Sequence, residues 1–566
     1  MKKCWRVLAC IGILFAGTVL SACNSKDTVS QSDTSQSDAS QGELLPNDST
    51  QKEEQQPIIL NTEDLLNKTE NLSYMIYYGT LNDEIIETAK QYDMVVIHPR
   101  NGNITREQVQ EIRSAGTYVF GYISIGEDLR TAGLSAEQML KDERFIGDGT
   151  GPRVDPRPEG ETSLSDVALL GEPSPAGTGY ASYYLDDNNY DGKPDINVNF
   201  NCAFTNIGDP AWFEVLENMT IDGEDKIPGI REILSDDYGR GLGCDGLFLD
   251  TLDTCAPNAY TADDVAYKTR FEWTSPGVQS FMEHLKEAYP EKLIIQNRGL
   301  FFYNPLLKQF KYSPREHIDF LMYESYMLDS NTNTLYIENY HFDNKYNYMP
   351  RIMAEAGRPD GFKVLSLGYA EGPEEYELKA TLLGESEVGL DNLLEDMEQA
   401  QDIAGFNHYI SDGAVTLVND FVLTHTEEED TSAPEWNSVY NASTTWPPEA
   451  PEPRIGIGQT EAIEGGVIVR WDVAIDRSGV EYTLYCQREP FDFEADPELT
   501  KATQMRLVPE MGEGYEEGIG PDTYPYQATV TGLEAGETYY FVIRAKDTSS
   551  NKNEEKNTEV LSDIPL

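Results

Sequence analysis

Eight short apolar runs, most of them separated by segments of helical periodicity, constrain this chain more than any other feature. They are Tyr74–Tyr78, Met94–His98, Tyr118–Ile125, Gly246–Asp250, Leu293–Gln296, Phe320–Tyr323, Lys363–Leu367 and Gly405–Ile410. Strands that alternate with helices pack as a parallel sheet covered by its own crossovers, which argues for a barrel rather than a sandwich. The helices carry start signals. Thr105 and Gln108 form a capping box ahead of Val109 and Ile112. Ser275-Pro276 opens another helix, with Val278, Phe281, Met282 and Leu285 at i, i+3, i+4 and i+7. The reading is an α/β fold, a (β/α)₈ TIM-type barrel over residues 58–425.

In such a barrel the reactive side chains stand where strands end. The fourth run, within Cys244-Asp245-Gly246-Leu247-Phe248-Leu249-Asp250-Thr251-Leu252-Asp253, breaks off in carboxylates, and Ile318-Asp319-Phe320-Leu321-Met322-Tyr323-Glu324 repeats the pattern. Asp250 and Glu324 are thus expected in one mouth, as the two carboxyls that glycosidic-bond hydrolysis requires. Asp253 rivals Asp250, but its place beyond the strand end suits a helix cap. Tyr78 and Tyr369, ending the first and seventh runs, offer faces for stacking on a sugar, although with 33 tyrosines in the chain such placement arises by chance as well.

Between the third and fourth runs lie about 120 residues, where a βα unit needs about thirty. That stretch, rich in Gly, Pro and Asp, reads as an insertion over the barrel mouth. Inside it, Asp187-Asn188-Asn189-Tyr190-Asp191-Gly192-Lys193-Pro194-Asp195 places oxygen ligands at alternate positions before a glycine turn, as calcium loops do. Asp187, Asn189, Asp191 and Asp195 would give side-chain oxygens and Lys193 its carbonyl to a structural Ca²⁺. Val198 stands where an EF-hand has its bidentate glutamate, so the pattern is closer to DxDxDGxxD loops. The alternative is an acidic surface turn without metal. No cofactor is expected for catalysis.

The N-terminus has signal-peptide form: Lys2 and Lys3, an apolar run near Val7–Leu20, then Ser21-Ala22-Cys23. Leu20-Ser21-Ala22-Cys23 resembles a bacterial lipobox, which implies removal of residues 1–22, lipidation of Cys23 and residence at the cell envelope. Residues 23–57 are polar and read as a disordered tether. The net charge of −57 argues against a nucleic-acid partner. It suits either solubility or a cationic ligand. Cys202, Cys244, Cys255 and Cys486 lack CxxC spacing and the six histidines are scattered, which argues against zinc. A disulfide among the first three stays open.

Residues 426–453, acidic and then rich in Ser, Thr and Pro, read as a semi-rigid linker. From 454 to 566 the pattern is that of a β-protein, with Val467–Trp471 and Tyr482–Tyr485 as strands. The segment from Leu533 through Gly536 to Tyr539-Tyr540-Phe541-Val542-Ile543-Arg544-Ala545 resembles the late-strand motif of fibronectin type III domains. The resemblance implies Trp471 as the core tryptophan and Tyr539 as the tyrosine-corner residue of an all-β sandwich.

Three phrases in order, Tyr122-Ile123-Ser124-Ile125-Gly126-Glu127, Asp245-Gly246-Leu247-Phe248-Leu249-Asp250-Thr251 and Tyr323-Glu324-Ser325, resemble glycoside hydrolase family 114, the endo-α-1,4-polygalactosaminidase-like family. The resemblance spans roughly residues 70–420 and implies a catalytic aspartate at Asp250 and a catalytic glutamate at Glu324. It implies a polar strand-end role for Asn297, which would orient sugar or carboxylate. Glu127 would bind an amine or position a loop. Glu324 reads as the general acid/base, desolvated by Met322, Tyr323 and Tyr326, the last also a substrate-side candidate. Asp250 reads as nucleophile or electrostatic partner. The implied substrate is a galactosamine-containing exopolysaccharide, a cationic amino-sugar polymer where deacetylated. The large insertion departs from a minimal family barrel and leaves the cleft shape open. The alternative is a non-catalytic glycan-binding or adhesive surface lipoprotein that keeps the barrel as scaffold.

Overall fold

Eight parallel strands form one sheet in sequence order: β1 (Tyr74–Tyr77), β2 (Met94–Ile97), β3 (Tyr118–Ser124), β4 (Gly246–Asp250), β5 (Leu293–Asn297), β6 (Phe320–Glu324), β7 (Lys363–Tyr369) and β8 (Asn407–Ser411). The first and last strands come together and nearly close the ring. Leu72 donates its N–H to Asn407 Oδ1 at 2.9 Å, and Tyr78 donates its N–H to the Val415 carbonyl at 2.7 Å. This computed structural model describes residues 58–68, 72–100, 104–164, 170–187, 189–261, 268–329, 337–371, 378–427, 429–440 and 452–566. The signal peptide, Cys23, the tether and the Pro-rich centre of the expected linker lie outside the described residues.

The strands are buried along almost their whole length, as expected of continuous apolar runs covered on both faces. Thr105 and Gln108 make both bonds of the capping box. The helix Pro276–Ala288 buries Val278, Phe281, Met282 and Leu285 on one face. Its Ser275 hydroxyl, however, donates to the carbonyls of Cys255 and Glu272 and makes no cap bond.

At the N-terminal ends of the strands three aspartates do one job. Asp93, Asp245 and Asp319 precede β2, β4 and β6, and each accepts the backbone N–H of a neighbouring chain segment: Ser73 at 2.8 Å, Val119 at 2.9 Å and Ile294 at 2.8 Å. Each also pairs with a cation from the helical layer, Lys68, Arg113 and Lys286 respectively. The Asp…carboxylate phrases of the sequence therefore split by position. Their first acid pins the barrel floor and their last acid faces the mouth.

The segment between β3 and β4 adds a small antiparallel sheet of Glu127–Asp128, Cys202–Phe204 and Ile196–Asn197 at the end of β3. Its helices include Pro210–Asn218 and Ile230–Leu234. Cys202, Cys244, Cys255 and Cys486 are all free thiols and buried. Among the described residues no helix is long and apolar enough to cross a membrane.

After the barrel come two four-stranded antiparallel sheets. One contains β9 (Ile457–Ile463), β10 (Gly466–Trp471), β13 (Glu510–Met511) and β14 (Tyr526–Thr531). The other contains β11 (Val480–Gln487), β12 (Thr503–Leu507), β15 (Tyr539–Asp547) and β16 (Leu561–Asp563). Trp471 is fully buried beside Tyr482 and Tyr526, with ring centroids 5.5 and 5.8 Å away. The Tyr539 hydroxyl accepts the backbone N–H of Glu534 at 3.1 Å. Part of the expected linker is built into this sandwich: Glu435–Trp436 pairs with Ala474–Ile475, and Ser438 donates to Asp472 at 2.9 Å. Tyr526 reaches back to the barrel and donates to the Met353 carbonyl at 3.1 Å.

Candidate active site

β4, β5 and β6 end side by side, and their last residues meet. The Asn297 side-chain nitrogen donates to Asp250 Oδ1 at 2.8 Å and to Glu324 Oε2 at 2.7 Å. The two oxygens that share this nitrogen are separated by no more than the two bonds laid end to end, about 5.5 Å, short of the roughly 6.5–9.5 Å between the carboxyls of inverting glycosidases. The other oxygen of each acid meets a tyrosine: Tyr122 donates to Asp250 Oδ2 at 2.7 Å, and Tyr369 donates to Glu324 Oε1. Two carboxyls are thereby held in one row, Tyr122–Asp250–Asn297–Glu324–Tyr369, drawn from five adjacent strands.

The backbone turns sharply to present these groups. Thr251 and Arg298, directly after Asp250 and Asn297, both adopt left-handed φ, +68° and +56°, a conformation that non-glycine residues hold only when their surroundings compel it. The Thr251 hydroxyl accepts the Gly126 N–H at 2.7 Å and stands 3.0 Å from the Ser124 hydroxyl, locking the end of β3 to the end of β4. Gly126 is required there, since a Cβ would stand 2.1 Å from the Thr251 carbonyl oxygen. Arg298 pairs with Asp253 at 2.7 Å and donates to the Glu324 carbonyl at 3.1 Å. Asp253 therefore anchors an arginine beside the site and is not one of the paired acids.

Burial raises the pKa of Glu324 above the ordinary carboxylate range and the neighbouring Asp250 adds to the rise, while Tyr369, Arg298 and Asn297 oppose it. Burial likewise holds the hydroxyls of Tyr78, Tyr122 and Tyr369 well above the usual tyrosine range, reinforced by one or both acids, so they remain protonated donors. Tyr78 is half-buried at the mouth, packed edge-on against Tyr122 and His98 with centroids 5.3 Å away in each case.

Glu127 lies just past β3, 1% exposed, with Oε1 accepting from Asn197 of the insertion at 2.7 Å. Tyr326 is elsewhere. It is fully buried among Tyr323, Phe406 and His341 with its hydroxyl on Met349 Sδ, so it packs behind β6 and does not face the acids. The side chains expected to hold calcium are engaged within the protein. Asp187 accepts from the Trp273 indole at 2.9 Å, and Asp195 accepts the Asp187 N–H at 3.0 Å. Asn189 and Asp191 accept the N–H groups of Asp191 and Lys193. Lys193 extends its side chain to Glu137. Among the described residues, the acids that converge closely enough for an ion are Asp430, Asp476 and Asp547, buried beside the sandwich.

Tyr122, His98 and Arg298 are site neighbours that strand-end reasoning passes over. The register pairs Ser124 with Asp250 and Tyr122 with Phe248, so Tyr122 starts one inward-facing position below the rim and reaches Asp250 by its length.

The fold and site together define a (β/α)₈ barrel that carries paired carboxyls at the C-terminal ends of β4 and β6. No protein-family model and no curated protein matches the chain. Among solved structures it is similar to the glycoside hydrolase domain of PelA from Pseudomonas aeruginosa, with 14% identity over 61% of this chain and 97% of that one, at a TM-score of 0.34. It is also similar to the noncanonic maltogenic alpha-amylase AmyB from Thermotoga neapolitana, with 9% identity over 82% and 97% of the two chains, at a TM-score of 0.33. The barrel is defined by its own strand order.

Proposed function

We propose that this chain is a glycoside hydrolase that cleaves by a two-carboxylate, retaining mechanism. The observation that carries the reading is the single Asn297 nitrogen shared by Asp250 and Glu324. In the first step an Asp250 oxygen attacks the anomeric carbon, and the glycosidic C–O bond breaks. The departing oxygen takes its electron pair and the proton of Glu324. In the second step the Glu324 carboxylate removes a proton from water, whose oxygen displaces Asp250 from the anomeric carbon. Burial and the adjacent acid favour a protonated Glu324 before the first step, as a general acid requires.

The substrate in this reading is a galactosamine-containing exopolysaccharide linked α-1,4, with endo-α-1,4-polygalactosaminidase-like activity. The support is the motif order of the sequence and a strongly acidic chain, which raises the local concentration of a polycation. Lipidation at Cys23 would hold the enzyme at a bacterial envelope, and the sandwich, fibronectin type III-like in its Trp471 and Tyr539, would space or dock it. The test is release of oligosaccharides from a galactosaminogalactan and polygalactosamine panel by the 58–566 chain beside Asp250→Asn and Glu324→Gln. Products from the parent and from neither variant support the reading. A silent parent that still retains polymer in a pull-down supports the non-catalytic alternative.

A further inference from the structure

Behind the Glu324–Tyr369 contact an acid–imidazole pair is buried without reaching the mouth. His408 Nε2, on β8, stands 2.9 Å from Oδ2 of Asp396, on the helix Leu390–Met397, and both side chains are 0% exposed. The other ring nitrogen of His408 stands 3.2 Å from the Ser366 hydroxyl of β7. Asp396 Oδ1 accepts the backbone N–H of Leu328 at 3.1 Å, in the segment that leaves β6 just after Glu324. The Leu328 carbonyl in turn accepts the Tyr369 N–H at 3.0 Å. One carboxylate therefore ties the segment leaving β6 to the end of β7 and, through His408, to β8. The strand is shaped for it. A Cβ at Gly368 would stand 2.1 Å from Asp396 Oδ2 and 3.2 Å from His408 Cε1. The carboxylate and the imidazole thus press on bare backbone directly before Tyr369.

Such a pair is a poor source of stability. Its neighbours Leu328, Leu393 and Ile410 belong to one buried apolar cluster, and well-packed apolar side chains in place of a buried pair are often neutral or stabilising. Its reach fits another role, because the two segments it joins lead from Glu324 and into Tyr369. We infer that Asp396 and His408 are positioning residues for the catalytic acid, holding the end of β7 against the segment leaving β6 so that the Tyr369 hydroxyl meets Glu324 Oε1. The inference rests on the glycosidase reading above. Glu324 interacts with Asp250, Asn297, Arg298, Tyr74, Tyr78 and Tyr369. Of these only Tyr369 stands on β7, so loosening the pair acts on Glu324 through that hydroxyl.

The experiment replaces the pair whole, with Asp396→Leu and His408→Leu together, because removing one member would strand the other in the interior. Polymer cleavage is followed across pH in wild type, the paired variant, Tyr369→Phe and the triple variant, with thermal melting alongside. The paired variant should melt cooperatively. Its kcat should fall by roughly tenfold or more with KM within twofold, because a misplaced acid loses its attacking geometry while the sugar contacts remain. The alkaline limb of kcat/KM should move to higher pH, as in Tyr369→Phe, and the triple variant should show no further shift. His408→Gln keeps an N–H toward Asp396 and should bring kcat back to within threefold of wild type. A folded paired variant whose limb stays at the wild-type pH overturns the inference and leaves the hydrolase standing, whatever its kcat. A triple variant whose limb moves by the sum of the separate shifts does the same. Loss of cooperative melting also overturns it, since the pair would then hold the fold as a whole. A wild type that cleaves none of the polymers removes the positioning role and the hydrolase reading together.

Discussion

Asn297 and Glu324 are joined by a 2.7 Å hydrogen bond whose donor nitrogen also serves Asp250, while the Asn297 carbonyl oxygen is buried with no partner. One amide thus fixes the separation of two acids and keeps an acceptor spare. Asn297→Asp, nearly identical in shape, replaces the shared donor with a third acid. We expect kcat to fall by roughly 10²–10³, the usual loss when one preorganised donor is removed from a site. Thermal melting should show that the fold persists. A variant within threefold of wild type would mean that the acids are positioned by their strands alone.

The pH profile follows from Glu324. Its pKa is raised by burial and by Asp250, so the acid form persists above the ordinary carboxylate range and the alkaline limb of kcat/KM should lie there. The Tyr369 hydrogen bond works in the opposite direction, lowering that pKa. Tyr369→Phe should therefore shift the alkaline limb to higher pH. A limb that moves down on removing the tyrosine would contradict the assignment of Glu324 as the acid.

Two aspartates only five positions apart should behave as opposites. Asp245 is buried against Arg113 at 2.8 Å and accepts the Val119 N–H, all on the barrel floor. Asp245→Asn should destabilise by about 3–5 kcal/mol, the cost of stranding one member of a buried ion pair. The folded fraction should keep its turnover number. Asp250→Asn should leave denaturant midpoints nearly unchanged and abolish turnover. Urea unfolding paired with active-site-normalised kinetics separates the two.

Much of this arrangement is legible in the chain itself. The apolar runs give the strands, and the acids that break them give Asp250 and Glu324, because a parallel strand buried on both faces tolerates a carboxyl only at its end. Tyr369 is visible as a residue at a strand end, and Asn297 through the family resemblance. Tyr326 misleads because strand geometry stops at Glu324, and the chain then folds back so that the ring joins Tyr323 and Phe406 behind β6. Tyr122 is hidden because its usefulness depends on strand stagger, which no local pattern encodes. The Arg298–Asp253 pair joins two loops whose proximity exists only once the barrel closes.

Gly126 links fold and chemistry at a single position. A methyl group there would meet the Thr251 carbonyl oxygen at 2.1 Å and the Thr254 hydroxyl at 2.6 Å, and the first of these is backbone. Gly126→Ala must therefore push the end of β3 away from the end of β4. We expect a loss of roughly 1–3 kcal/mol from overpacking, together with a turnover defect, because the displaced Thr251 directly follows Asp250. An unchanged kcat in a destabilised Gly126→Ala protein would show that the strand ends move independently.

Glu127 ties stability to pH in a direction opposite to that of a salt-bridged acid. Its folded pKa is about 8 against an ordinary value of 4.5, so between those values the folded chain keeps a proton that the unfolded chain has released. The stability this proton confers is complete below the unfolded value and is lost as pH rises through about 8. Over that window the cost is on the order of 3–5 kcal/mol, at 1.36 kcal/mol per unit. Glu127→Gln carries no such proton. Its melting temperature should match wild type near pH 4 and exceed it increasingly toward pH 8, whereas a constant offset across that range would place the ionisation elsewhere.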